Sequence, residues 1–129
     1  MPLRFQVDHV QRMVLGVAEG VVTIDDVIEF SLEIERNNAT GYPKLVDAMG
    51  GTSQLSLADF VKYRERMRSL PKERVHGPLA LVAVDVHGLL ARLFAEFTST
   101  ERPAKVFTSI HDARQWLRES PIVRPKNSS

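Results

Sequence analysis

Gly20-Val-Val-Thr-Ile-Asp-Asp-Val27 is the stretch on which the fold turns. Two β-branched residues lead into Thr23, and Asp26 stands at the third position after it, ahead of an apolar series at helical spacing: Ile24, Val27, Ile28 and Ile34, with Ser31 in the same stripe. A Thr or Ser in this place accepts a bond from an orphan amide of the opening turn. The acid three residues on reaches back and sits at the positive end of the helix dipole. The same arrangement recurs as Ser56 with Asp59 and as Ser109 with Asp112, each after a short apolar run. Repeated strand-to-helix transitions predict an α/β domain.

Working outward from Thr23, the preceding residues read as a hairpin. Leu3, Phe5 and Val7 alternate within a strand from Leu3 to Asp8, and a second strand runs from Arg12 to Glu19, with His9, Val10 and Gln11 as a tight connection and Gly20 as its end. The Thr23 helix extends to about Asn38, where Asn37, Asn38 and Gly41 supply stop and turn signals. Pro43 opens a third strand, Lys44 to Met49, which Gly50 and Gly51 end. Ser56 starts a helix to about Leu70, with Leu57, Phe60, Val61 and Met67 as its apolar stripe and Pro71 blocking continuation. Arg64 falls inside that stripe, its stem along apolar surface and its guanidinium reaching water, or else a buried partner such as Asp47.

Leu79 to Val84 is a continuous apolar run, the pattern of a strand covered on both faces and the expected centre of the sheet. Asp85 can cap a third helix carrying Val86, Leu89, Leu90, Leu93, Phe94 and Phe97. Pro103 to Thr108 is the fifth strand, and the Ser109 helix turns Ile110, Ala113, Trp116 and Leu117 inward before Ser120-Pro121. The order β-β-α-β-α-β-α-β-α, with right-handed crossovers, predicts one five-stranded, mostly parallel sheet with an antiparallel N-terminal hairpin and four helices. Residues 1–120 form one domain in this reading, with no internal repeat or linker, and residues 121–129 a disordered polar tail.

The 129 residues suffice to bury a self-supporting core, roughly 70% of the unfolded surface for a chain of this size. The absence of cysteine removes disulfides, thiolate metal sites and cysteine nucleophiles. With no signal peptide pattern and no apolar run near the ~20 residues of a membrane span, a cytoplasmic protein without membrane insertion is expected. The net charge of +1 conceals segregation. Residues 25–35 carry Asp25, Asp26, Glu29, Glu33 and Glu35 with no base, whereas residues 62–74 carry Lys62, Arg64, Arg66, Arg68, Lys72 and Arg74 against Glu65 and Glu73. Two solvated helix faces account for this; the sharper reading is a basic patch for an acidic partner.

These elements resemble the STAS domain, the anti-sigma-factor antagonist fold, and more closely its bacterial SpoIIAA-like offshoot. The residues that carry the resemblance are Gly20 to Val27, Lys44-Leu-Val-Asp47 and Val106-Phe-Thr-Ser-Ile-His-Asp-Ala-Arg-Gln-Trp-Leu117. The resemblance implies a small regulatory or ligand-sensing module without catalysis that works through partner contact. In sporulation-type members a Ser at the start of the second helix, in an Asp-Ser-Ser-Gly motif, is phosphorylated. Here Asp47-Ala-Met-Gly-Gly-Thr-Ser-Gln-Leu-Ser-Leu57 departs from that motif, leaving Ser53 and Ser56 as candidate phosphosites.

Ligands of open parallel sheets lie beyond the C-terminal strand ends. That places the candidate ligand or partner site at Asp47, Gly50, Gly51, Thr52, Ser53 and Ser56, in a loop after the third strand, with Arg64 and with His87 at the mouth of the third helix, where it could meet Asp47. Glycines admit close backbone approach, and hydroxyls beside free amides suit an anion. No nucleotide-binding glycine motif, nucleophile elbow or paired metal-ligand histidines accompany them, so no catalytic residue, cofactor or metal is assigned. Lys62, Tyr63, Arg64, Arg66 and Arg68 lack a nucleic-acid motif, and the pI is 8.1. A non-enzymatic module with a protein partner is expected; a small anionic or lipid-like ligand is the alternative, and a homodimer is compatible with either.

Overall fold

A computed structural model describes residues 3–53, 55–68, 76–84 and 102–120. Five strands, β1 (Leu3–Asp8), β2 (Met13–Val22), β3 (Lys44–Ser53), β4 (Leu79–Val82) and β5 (Ala104–Phe107), form one sheet in the order β1-β2-β3-β4-β5. The β1–β2 pair is antiparallel and every other pair is parallel, as the hairpin and the crossovers require. Helices α1 (Ile24–Arg36), α2 (Leu57–Met67) and α3 (Ile110–Glu119) are those announced by the three Ser/Thr caps. The expected helix over Val86 to Phe97, with its cap Asp85, and the tail from Pro121 lie outside the described residues.

Both Thr23 and Ser56 form reciprocal boxes, hydroxyl to the acid's amide and carboxylate to the cap's amide. Ser109 accepts from the Asp112 amide at 3.3 Å. Helix α1 ends where Asn38 takes φ +56°, with the Ala39 amide donating to the Ile34 carbonyl and the Asn38 amide to that of Glu35. This is a Schellman termination in which Asn substitutes for the usual glycine.

Alternation along the strands sorts side chains to two faces. Val14 and Ala18 of β2 join Leu3, Phe30, Ile34 and Ala39 on the α1 side, where the Phe5 and Phe30 ring centroids stand 4.9 Å apart. Leu45, Ala80 and Val82 turn to the opposite face and meet Ala113 and Leu117 of α3, with Trp116 against Phe107 at 5.7 Å. Helix α2 lies beside α1, Tyr63 packing with Ile24 and Ile28. The acidic and basic helices are thus neighbours, and Lys62 Nζ reaches Asp25 Oδ1 at 3.1 Å.

Four expectations are corrected. Gly20 does not end β2: it adopts φ +80° inside the strand, which continues to Val22. Arg12 belongs to the hairpin turn, with φ +55°, while the Asp8 carboxylate accepts the Val10 and Gln11 amides. Gly50 and Gly51 do not end β3, whose register runs Glu19 to Gly50 and Gly20 to Gly51 after a shift at Val17/Glu19. The reason is crowding: a Cβ on Gly51 would stand 2.8 Å from that of Ala18. Finally, β3 is the central strand and β4 its neighbour toward the β5 edge, because the sheet grows in one direction only.

Candidate functional site

The residues expected in a loop after the third strand are largely strand. Gly50, Gly51, Thr52 and Ser53 pair with β2 from Glu19 to Val22, so the glycines serve strand proximity. Asp47 lies half-buried between Val17 and Val82 in register, and its carboxylate accepts the Met49 amide at 3.0 Å, supporting the backbone where the register shifts.

Ser56 is exposed and engaged in its own helix cap, its oxygen accepting the Asp59 amide at 3.2 Å while Asp59 Oδ2 accepts the Ser56 amide at 2.9 Å. The negative charge that the α2 N-terminus attracts is therefore supplied from within, by Asp59. A phosphoryl group on Ser56 would meet that carboxylate as a like charge.

Arg64 is not part of the inward stripe of α2. Phe60 and Tyr63 are buried and Met67 packs against the cluster that Tyr63 forms with Ile24 and Ile28, while Leu57, Val61 and Arg64 are exposed. The inward side is thus rotated from the expected stripe, with Tyr63, 2% exposed, in the inward place expected of Arg64. His87 lies outside the described residues, so its approach to Asp47 is not part of the described geometry. The fold thus gathers Asp47 and Gly50 to Ser53 on one strand with Ser56 just beyond, and sets Arg64 apart on the outer side of α2.

The opposite end of the sheet holds chemistry that the sequence reading did not single out. Lys44, the first residue of β3, is 2% exposed, and its Nζ donates to the carbonyls of Thr40 at 2.6 Å and Tyr42 at 2.7 Å. Its backbone amide donates to Pro78 and that of Leu79 donates to Pro103. The chain segments carrying Lys44, His76 and Arg102 therefore reach one sheet edge side by side. Arg102 donates to the Tyr63 hydroxyl at 3.4 Å, and that hydroxyl stands 3.4 Å from Ser31 Oγ.

Burial, reinforced by Arg102, holds the Lys44 pKa well below the ordinary ammonium value. Burial first, then Arg102 and Lys44, push His76 down to about 4. Its Nδ1 is buried and has no hydrogen-bond partner among the described residues. A sequence signal for Lys44 existed, because strand parity puts it on the same face as the half-buried Val46. Nothing in the spacing of His76 and Arg102 pointed to it.

Among the described residues no group of three or more His, Asp or Glu side chains could hold a metal ion, and no helix is long and apolar enough to cross a membrane. No family model and no curated protein matches the chain. Its structure is similar to the crystal structure of an uncharacterised protein from the DUF3478 family with a SpoIIAA-like fold, from Shewanella loihica PV-4. The two share 19% identity and superpose with a TM-score of 0.57 over 89% of this chain and 93% of the other. With its N-terminal hairpin, parallel crossovers and final helix on the opposite face, this chain has the SpoIIAA-like, STAS-type fold.

Proposed function

We propose that this chain is a non-catalytic regulatory module that works by docking a protein partner on the outer side of α2. One observation carries the reading. Leu57 is 59% exposed and Val61 47% exposed, one turn apart, although the inward side of the helix is separately filled by Phe60, Tyr63 and Met67. Arg64 and Arg68 continue the same outward row at helical spacing, giving an apolar start and a basic end. Single exposed apolar residues are ordinary, whereas a row of them bordered by charge fits an interface. The basic end favours a partner with an acidic rim.

The test compares proteins co-purified from the source cells by the wild type, by Val61→Glu and by Arg64→Glu/Arg68→Glu, after thermal melts establish that all three fold equally well. A partner retained by the wild type and lost from both variants supports the docking row. An unchanged set of captured proteins contradicts it.

A further inference from the structure

We infer that β1 is a dimerisation edge, independent of the α2 row, at which two copies of this chain pair their β1 strands antiparallel about a twofold axis at Gln6. Strand β1 is an end of the sheet, and among the described residues nothing pairs with its outer edge. The direction of its free backbone groups follows from the register. The Val14 amide donates to Pro43, on the β3 side, so Val7 opposite Val14 turns its own amide and carbonyl outward, and Phe5 and Leu3 do the same by alternation. Edge strands of proteins that stay monomeric are guarded by proline, lysine, a bulge or a charge on the inward face. Leu3-Arg-Phe-Gln-Val-Asp8 has no proline or lysine, and its pairing with β2 runs without a register shift. Its charges, Arg4 and Asp8, lie on the face away from α1, since Leu3, Phe5 and Val7 take the α1 side.

A second copy is the occupant because the strand is complementary to itself. Antiparallel pairing about Gln6 sets Arg4 opposite the partner's Asp8, Phe5 opposite the partner's Val7, and Gln6 opposite its own copy. Phe5 and Val7 turn their backbone outward, so each such pair exchanges both amide bonds. Arg4 and Asp8 fall between those bonded pairs, where opposed side chains stand closest and opposite charges attract across the strands. The Arg4 side chain is 63% exposed; Nη2 donates to Glu19 at 2.6 Å, and the rest of the guanidinium fork has further donors. Asp8 accepts the Val10 and Gln11 amides through Oδ1, which leaves Oδ2 for a second bond. On the α1 side, Phe5 and Val7 are half-buried against the core of Leu3, Val14, Phe30 and Ile34. That core stops at the sheet edge, and a second copy continues it. An axis at Phe5 would set Arg4 against the partner's Gln6 and lose both charge pairs, so charge selects the Gln6 axis.

Analytical ultracentrifugation of the full chain over a range of concentrations tests the pairing, together with a thiol placed on the axis. The chain has no cysteine, so Gln6→Cys introduces a single one, which the twofold axis brings to its own copy at disulfide distance. The expected result is a concentration-dependent dimer that Gln6→Cys locks covalently under mild oxidation, much faster than Val10→Cys, whose position in the hairpin turn is 94% exposed. Arg4→Glu sets like charges opposite each other and should weaken the dimer by about tenfold or more, whereas Val61→Glu on α2 should leave it unchanged. Mixing Arg4→Glu with Asp8→Arg restores both charge pairs and should recover association between chains that do not pair with themselves. Thermal melts check that the variants fold, and the Gln6→Cys crosslink carries the test if Asp8→Arg does not. A monomer at every concentration, a dimer that Arg4→Glu leaves intact or that Val61→Glu dissolves, or Gln6→Cys crosslinking no faster than Val10→Cys, overturns the inference.

Discussion

Gly51 shows how closely single residues are held. A methyl group there would stand 2.8 Å from the Ala18 Cβ and 3.3 Å from its backbone, so Gly51→Ala should destabilise the protein by about 1–3 kcal/mol in urea denaturation. His76 gives a pH prediction. Its folded pKa of about 4 lies below the ordinary 6.5, so the unfolded state binds more protons between those values. The His76 contribution to stability should therefore rise with pH from about 4 to 6.5 and level off above, and His76→Gln should remove that part of the rise in melts across the range. At this scale the sequence was only partly legible. Thr23 and Ser56 state their role through the acid three places on, because capping is local chemistry. The burial of Lys44 depends on carbonyls of a turn and on a sheet edge that assembles only in three dimensions.

The helices test the phase of each pattern. Thr23→Ala and Ser56→Ala should each cost about 1 kcal/mol of stability, since each hydroxyl belongs to a reciprocal box. In α2, Phe60→Ala should cost about 3–5 kcal/mol, whereas Val61→Lys should change stability by less than about 0.5 kcal/mol. Equal effects at the two positions would contradict the rotated stripe. The observed phase differs from the expected one because Leu57 and Val61 are apolar without being buried, while Tyr63 sits inward despite its polar tip. Likewise Gly50-Gly51 reads locally as a break, and only the closeness of Ala18 turns it into strand.

At the scale of the whole molecule, the segregation of acids onto α1 and bases onto α2 is in part an internal arrangement, joined by Lys62 and Asp25. That surface pair contributes at most about 1 kcal/mol, so its neutralisation in the single variant Lys62→Met should scarcely move the melting curve. Alternation and caps made the hairpin, the parallel run of strands and the three described helices legible in advance, whereas strand order was not, because nothing local distinguishes a central strand from its neighbour. Helix α3 closes the second face, and Trp116→Ala should cost about 3 kcal/mol or more through lost contact with Phe107 and the strands beneath. The same architecture divides the candidate chemistry between two ends of the sheet. The C-terminal end is occupied by paired strand and by a helix cap that supplies its own carboxylate, while the N-terminal edge holds the buried Lys44 with His76 and Arg102 half-buried. A two-dimensional amide NMR comparison of the full chain alone and with its co-purified partner tests the docking surface directly. Shifts concentrated at Leu57 to Arg68 are the predicted result; shifts centred on Gly50 to Ser53 or on α3, or none at all, would contradict it.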